Sequence, residues 1–135
     1  MSKKIVFITH EGAMSGANAA LAAHLELMYS MGSEFYLIVP RFGELSDKLK
    51  GITKEIFEVY YYGWAINPNQ KISFKKQIKY LLRKEFAIRQ IRKVLKRINP
   101  DYCATNTITI DVGALAAKKQ RIKHVWLVHE FGDRD

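Results

Sequence analysis

The sequence has 135 residues, 48% of them hydrophobic, and a formal net charge of +9 at pH 7. This length allows one compact domain with a buried core and excludes two domains of ordinary size. The longest apolar run near the start, residues 5–8, is too short for a signal-peptide core or a membrane span, so we expect a cytoplasmic protein. The single cysteine, Cys103, excludes an intrachain disulfide and indicates a small buried hydrophobe. No metal site is expected.

The first part of the chain alternates strand and helix patterns. Residues 4–9 form a continuous apolar, β-branched run, which is typical of a strand covered on both faces. Residues 16–28 are rich in helix formers, and Gly32 marks the end of that helix. Residues 34–39 repeat the strand pattern. Pro40 ends it, because proline cannot donate to a sheet ladder.

The rest of the chain continues this alternation. A long run of apolar residues at three- and four-residue spacings predicts an amphipathic helix whose apolar side faces the core and whose exposed side is almost wholly cationic. The further predicted elements are a short helix over 44–49, a strand within 52–62, the long helix from 73 to 98, a strand over 102–105, a helix over 110–120 and a strand over 124–128.

Strands that alternate with helices predict an α/β domain, namely a Rossmann-like, doubly wound parallel sheet with helices on both faces. In such sheets ligands bind beyond the carboxyl ends of the strands. Functional residues are therefore expected at one rim, in the loops that follow the strands: residues 10–16, 40–43, 63–69, 106–109 and 129–135.

The first of these loops brings Gly12 and Gly16 to the start of a helix. Free N–H groups and the helix dipole favour an anion there, so a phosphate group fits the position. The loop is neither a complete G-x-G-x-x-G fingerprint nor a Walker loop. A tight turn that needs glycine for its backbone explains the two glycines equally well.

Polar side chains also follow the fourth and fifth strands. His129 and Glu130 stand where the last strand meets the rim, and both side chains can hydrogen-bond a sugar hydroxyl or a phosphate. The alternative is a loop cap or a buried structural histidine. Asn106 and Thr107 suit a ligand, but they suit a cap for the following helix just as well. His10 heads a second His-Glu pair in the first loop.

Several segments in this order resemble a known family. They are Ser15-Gly16-Ala17-Asn18 after the first strand, the extended residues 35–40, Ile98-Asn99-Pro100-Asp101 before a strand, and residues 125–131. Together they resemble the N-terminal domain of the GT-B fold glycosyltransferases of family 4 over nearly the whole chain. The familiar Gly-Gly-Ala of that family is Ser15-Gly16-Ala17 here.

The resemblance implies an activity and a set of site residues. Members of that family join two Rossmann-like domains and move a sugar from a nucleotide-sugar donor to an acceptor bound mainly by the N-terminal domain, generally with retention and without a metal. It implies no cofactor other than the donor substrate. His129 would be catalytic, at the transferring sugar, and Gly16 would approach the donor's diphosphate. The implied substrate-binding residues are His10, Gly16, Ala17, Asn106, Thr107 and Glu130.

The same resemblance implies that residues 1–135 are a single acceptor-side domain, itself incomplete. The C-terminal nucleotide-sugar domain of the family, with its Glu-x7-Glu element, is absent from this sequence. We therefore expect the chain alone to be inactive, which leaves open whether it is an enzyme by itself. The expected partners are that missing domain or a separate donor-binding subunit, and a polysaccharide, glycan or lipid-linked acceptor.

The positive charge is concentrated in the long helix. Basic residues near an anionic bilayer each contribute about 1 kcal/mol of binding, so peripheral attachment to the inner face of the membrane is one interpretation. A solvated helix face, a non-catalytic partner subunit and a basic nucleic-acid-binding module are the alternatives, although no nucleic-acid motif is present and we do not expect that partner. The residues assigned to membrane contact are Lys75, Lys76, Lys79, Arg83, Arg92, Lys93 and Lys96.

Overall fold

The computed structural model describes residues 4–9, 16–60, 74–106 and 112–127. Strands and helices alternate along this part of the chain, as the hydrophobic pattern predicts. The elements are β1 Lys4–Ile8, α1 Gly16–Ser30, β2 Glu34–Val39, α2 Glu44–Leu49, β3 Ile56–Glu58, α3 Phe74–Ile98, β4 Tyr102–Asn106, α4 Val112–Lys119 and β5 Lys123–Leu127.

The five strands form one sheet in the order β3-β2-β1-β4-β5, and all neighbours are parallel. The chain thus builds one half of the sheet, crosses over after β3 and builds the other half, so the predicted Rossmann-like, doubly wound fold is confirmed. Ile8 pairs with Ile38 on one side and with Thr105 on the other. This register brings the carboxyl ends of the central strands to one rim.

The predicted third strand is shorter than expected. Within the described residues 52–60 only Ile56–Glu58 forms β3, which pairs with the end of β2, and residues 61 and 62 lie outside the described residues. The N–H groups of Ile52 and Thr53 instead donate to the carbonyl of Leu49, at 3.2 and 3.0 Å. These bonds close the end of α2, so the two residues are not available for a strand ladder.

Each face of the sheet has its own core. On one face α1 and α2 cover β1 and β2, where Phe7 and Phe35 pack edge to face with their ring centroids 6.1 Å apart. On the other face α3 and α4 pack against the sheet. Cys103 is fully buried there, and burial raises its pKa to about 12. The interpretation of this cysteine as a small buried hydrophobe is confirmed.

The Asn-Pro-Asp segment after α3 lies at the opposite edge of the sheet from the rim. Asn99 has a φ of 51° and its N–H donates to the carbonyl of Leu95 at 2.7 Å, which ends the helix in a left-handed residue. Asp101 and Lys4 then exchange two hydrogen bonds, of 2.8 and 2.7 Å, that start β4 beside β1. The Asn-Pro-Asp segment of the family resemblance therefore ends α3 and starts β4, and it lies away from the rim.

The long helix differs from the prediction in its first half. From Ala87 onward its apolar side is buried against the sheet and α4, as expected. Before Ala87 the expectation of an apolar side in the core is wrong, because the apolar side chains of that half are exposed. The apolar side chains left exposed are Phe74, Ile78, Leu81, Leu82 and Phe86. None of the described helices combines the length and the apolar content needed to cross a membrane.

Candidate functional site

A buried hydrogen bond joins two elements at the rim. Asn106, the last residue of β4, donates from Nδ2 to Oδ1 of Asn18 in the first turn of α1, at 3.1 Å. Both side chains are fully buried. A buried amide that loses its partner costs about 1–3 kcal/mol, so this pair fixes the start of α1 against the end of β4. Asn106 is thus one predicted site residue that the structure places at the rim.

Gly16 is the first residue of α1 and is exposed. A Cβ added to Gly16 meets no atom of the described residues within 4 Å, and its φ lies outside the left-handed region. Backbone strain therefore does not require glycine here. The first N–H groups of a helix, here those of Gly16 and Ala17, have no partner within it, so they can donate to a ligand or to the preceding loop. Residues 10–15 of that loop lie outside the described residues. The two interpretations of Gly16, a ligand site and a tight turn, both stay predictions.

The other predicted rim residues, His10, Thr107, His129 and Glu130, lie outside the described residues, and their roles stay predictions. The sheet nevertheless shows where β5 leads. Asn106 pairs with Leu127 in the β4–β5 register, so the described part of β5 ends at the rim beside Asn106.

A different histidine, His124, lies within β5. Its Nε2 is 2.6 Å from Oγ1 of Thr105, and its ring packs edge to face on Trp126 with the centroids 4.8 Å apart. Partial burial lowers its pKa below the ordinary value, because desolvation disfavours the charged ring. Burial thus favours the neutral ring, and the contact with Thr105 ties β4 to β5 below the rim.

Sequence reasoning missed a pocket of about 400 Å³ at the carboxyl end of β3. The guanidinium carbons of Arg41 and Arg83 lie 5.4 and 5.7 Å from the ring centroid of Tyr60. Arg41 and Tyr60 each follow the end of a strand by two residues, and that position is the signal that could have identified them. The pocket is lined by Glu58, Val59, Tyr60, Arg83, Phe86 and Gln90.

Asn18 was also missed as a site residue. It is a polar residue in a run of alanines, at the start of a helix, where asparagine is a weak helix former. Burial of such a residue requires a partner, and the partner is 88 positions away along the chain. The local pattern therefore marks Asn18 as unusual but cannot identify Asn106 as the residue it contacts.

The residues assigned to membrane contact fall into two groups. Lys75, Lys76, Lys79 and Arg83 lie on the exposed first half of α3, whereas Lys93 and Lys96 are exposed on the half that packs. Arg92 is half-buried, and its Nε donates to Oε1 of Gln120 at 2.9 Å, which ties α3 to the end of α4.

Among the described residues, no group of three or more His, Cys, Asp or Glu side chains is arranged so that it could hold a metal ion.

No protein-family model and no curated protein matches the sequence. Solved structures do resemble it in fold. MurG of Acinetobacter baumannii has a TM-score of 0.66 at 16% identity, over 92% of this chain and 34% of MurG. Anabaena HepE, solved with UDP and glucose, has a TM-score of 0.57 at 17% identity, over 92% of this chain and 29% of HepE.

A domain of a different kind of protein also matches. The C-terminal domain of the PF1911 hydrogenase of Pyrococcus furiosus has a TM-score of 0.60 at 12% identity, over 94% of this chain and 92% of that domain. This chain spans about a third of the length of MurG and less of HepE, but almost the whole hydrogenase domain. At these identities the comparisons establish the shared α/β fold.

Proposed function

We propose that this chain is the acceptor-side domain of a GT-B glycosyltransferase, which moves a sugar from a nucleotide-sugar donor to an acceptor. The observation that carries the proposal is the buried Asn18–Asn106 hydrogen bond, which places the start of α1 beside the ends of β4 and β5 at one rim. Because the same fold occurs in a hydrogenase domain, the proposal rests on this rim and on the sequence pattern rather than on the fold.

The leaving group of such a reaction is a nucleoside diphosphate, which gains negative charge as the bond to the sugar breaks. Preorganised N–H donors aimed at the developing charge are among the largest contributors to catalysis. The first turn of α1, with the N–H groups of Gly16 and Ala17, offers such donors together with the positive end of the helix dipole. In this proposal the lack of a side chain at Gly16 lets the diphosphate come close to the backbone N–H groups.

The remaining rim residues act on the sugars. His129 contacts the transferring sugar at the reacting centre, and Glu130, His10 and Thr107 hydrogen-bond sugar hydroxyls. We propose a retaining, metal-independent reaction of the family 4 kind, with no cofactor beyond the donor. The donor's nucleotide is held by a C-terminal domain or by a separate subunit, and the complete enzyme acts in the cytoplasm.

The pocket beside β3 is proposed as the acceptor site. Its lining combines an aromatic ring, a guanidinium, an amide and a carboxylate, which are the groups that recognise sugars and their anionic substituents. Glu58 is already oriented, since Oε2 accepts from the N–H of Phe42 at 2.9 Å. With Arg83 and Arg41 near Tyr60, the pocket suits an acceptor that carries a phosphate or carboxylate.

Replacement of Asn106 tests the proposal. In the complete enzyme, Asn106→Ala should lower kcat/KM for the nucleotide sugar by about 10- to 100-fold, because loss of the bond to Asn18 releases the start of α1 from the rim. Steady-state kinetics with the donor varied measures this effect. Urea unfolding of the same variant gives its stability.

Thr53→Ala is the matched control. The Thr53 side chain is half-buried, and its Oγ1 donates to the carbonyl of Leu49 at 2.7 Å between α2 and β3, at the opposite end of the strands from the rim. This variant should lose stability without losing kcat/KM. If Asn106→Ala and Thr53→Ala have the same kcat/KM as the unaltered enzyme, the proposed site is wrong.

A further inference from the structure

The first half of α3, residues 74–86, presents an apolar side that no described residue covers. Phe74, Ile78, Leu81, Leu82 and Phe86 are between 43% and 75% exposed. Their spacing places them on one side of an α-helix, rotated by roughly a third of a turn from the buried side of the second half. The exposed stripe is therefore a surface of its own rather than a frayed end of the core, and we call it the α3 stripe.

Basic residues border one edge of this stripe, because Lys75 and Lys79 lie beside Leu82 and Phe86 around the helix. Residues 74–86 contain five basic residues and one acid, Glu85, which pairs with Arg89 at 3.7 Å. Lys75 and Lys79 flank the stripe, and both are exposed. Thirteen residues of helix extend about 20 Å, which is long enough to lie along a surface.

We propose that the α3 stripe inserts into the headgroup region of an anionic lipid bilayer, with its lysines on the lipid phosphates. Interfacial helices of this kind carry lysine and arginine on one side and large apolar residues on the other. The cores of protein–protein interfaces are instead depleted in lysine. The mixture of lysines and large apolar side chains along these thirteen residues therefore favours a membrane over a protein partner.

Docking in this way also orients the pocket beside β3. Arg83 and Phe86, which line that pocket, belong to the same stretch of helix as the stripe. A bilayer beneath α3 thus brings the pocket close to the lipid surface. The docking proposal does not depend on the proposed enzymatic function, since it concerns binding alone.

The experiment is co-sedimentation of the full chain with phosphatidylcholine vesicles, with and without phosphatidylglycerol, at low and high salt. The chain should bind the anionic vesicles. Leu81→Ser/Leu82→Ser should weaken binding at least tenfold, because two large apolar side chains no longer leave water. Lys75→Gln/Lys79→Gln should weaken it by about 30-fold at low salt and by less at high salt.

Two matched controls separate the stripe from general surface effects. Leu27→Ser/Met31→Ser removes exposed apolar side chains at the end of α1, and Lys48→Gln/Lys50→Gln removes exposed charges around α2. Both should bind like the unaltered chain, and all variants should keep its circular dichroism spectrum, since every replaced side chain is exposed.

Several results would overturn the proposal. One is the absence of binding to anionic vesicles at low salt. Another is unchanged binding of Leu81→Ser/Leu82→Ser, which would leave charge alone as the cause. A third is that this variant turns a dimer into a monomer in sedimentation velocity while its vesicle binding is unchanged, which would assign the stripe to self-association.

Discussion

At the scale of single residues, the sheet and the rim depend on a few close contacts between elements distant in sequence. The Asn18–Asn106 bond is one of them. Another is at Gly113 in the first turn of α4, where an added Cβ would lie 2.5 Å from Cδ1 of Ile8 and 2.8 Å from Oγ1 of Thr105. Glycine therefore lets α4 approach β1 and β4 directly.

Gly113→Ala should accordingly lower the free energy of unfolding by about 1–2 kcal/mol. Overpacking costs about 1–3 kcal/mol, and the better helix propensity of alanine offsets up to about 1 kcal/mol. Ile8 is fully buried and Thr105 contacts His124 at 2.6 Å, so neither side chain has room to move away. Urea unfolding of both proteins measures the difference.

Gly51→Ala is the control for this prediction, because a Cβ on Gly51 meets nothing within 4 Å and its φ is not left-handed. It should change stability by less than about 0.5 kcal/mol. A Gly113→Ala variant as stable as Gly51→Ala would show that α4 does not approach the sheet as closely as described.

At the scale of elements, α3 shows that a sequence pattern can predict a helix without predicting which part of it is buried. The spacing of its apolar residues predicts a helix over its whole length, and that prediction is confirmed for residues 74–98. The same spacing does not say which part of the apolar side meets the sheet, since a residue exposed to solvent and one buried in a core have the same periodicity. Burial depends on which part of α3 lies over the sheet. Ile91 and Leu95 lie over it and are buried, whereas Leu81 and Leu82 are exposed.

Two leucines of α3 test this division of the helix. Leu95→Ala should cost about 2–5 kcal/mol of unfolding free energy, because Leu95 is fully buried and its removal leaves a cavity. Leu82→Ala should cost less than about 0.5 kcal/mol, since Leu82 is 66% exposed. Urea unfolding measures both. Equal losses at the two positions would mean that the first half of α3 is packed against the domain.

At the scale of the whole molecule, much of the fold follows from the sequence and part of the site does not. Continuous apolar strands such as residues 4–8 are typical of a sheet covered on both faces, and alternation with helices then leaves few topologies. Gly16 and Asn106 lie at the rim, where functional residues are expected beyond the carboxyl ends of the strands. The Asn18 contact and the pocket around Tyr60 depend on residues far apart in the chain, and no local pattern encodes such pairs.

At this scale the fold alone does not determine the function. MurG, HepE and a hydrogenase domain share this α/β arrangement at 12–17% identity. Function is carried by sites placed on a fold, so the choice among such proteins depends on the rim and the pocket. In the proposed function the rim contributes to binding a nucleotide sugar.

The most direct test is titration of the complete gene product, together with any chain that copurifies with it, with UDP- and GDP-sugars by isothermal titration calorimetry. We predict that one nucleotide sugar binds with a dissociation constant between about 1 μM and 1 mM, the usual range of enzyme KM values. Asn106→Ala should weaken that binding. The absence of binding to every nucleotide sugar by the complete gene product, with its copurifying partners present, would contradict the account.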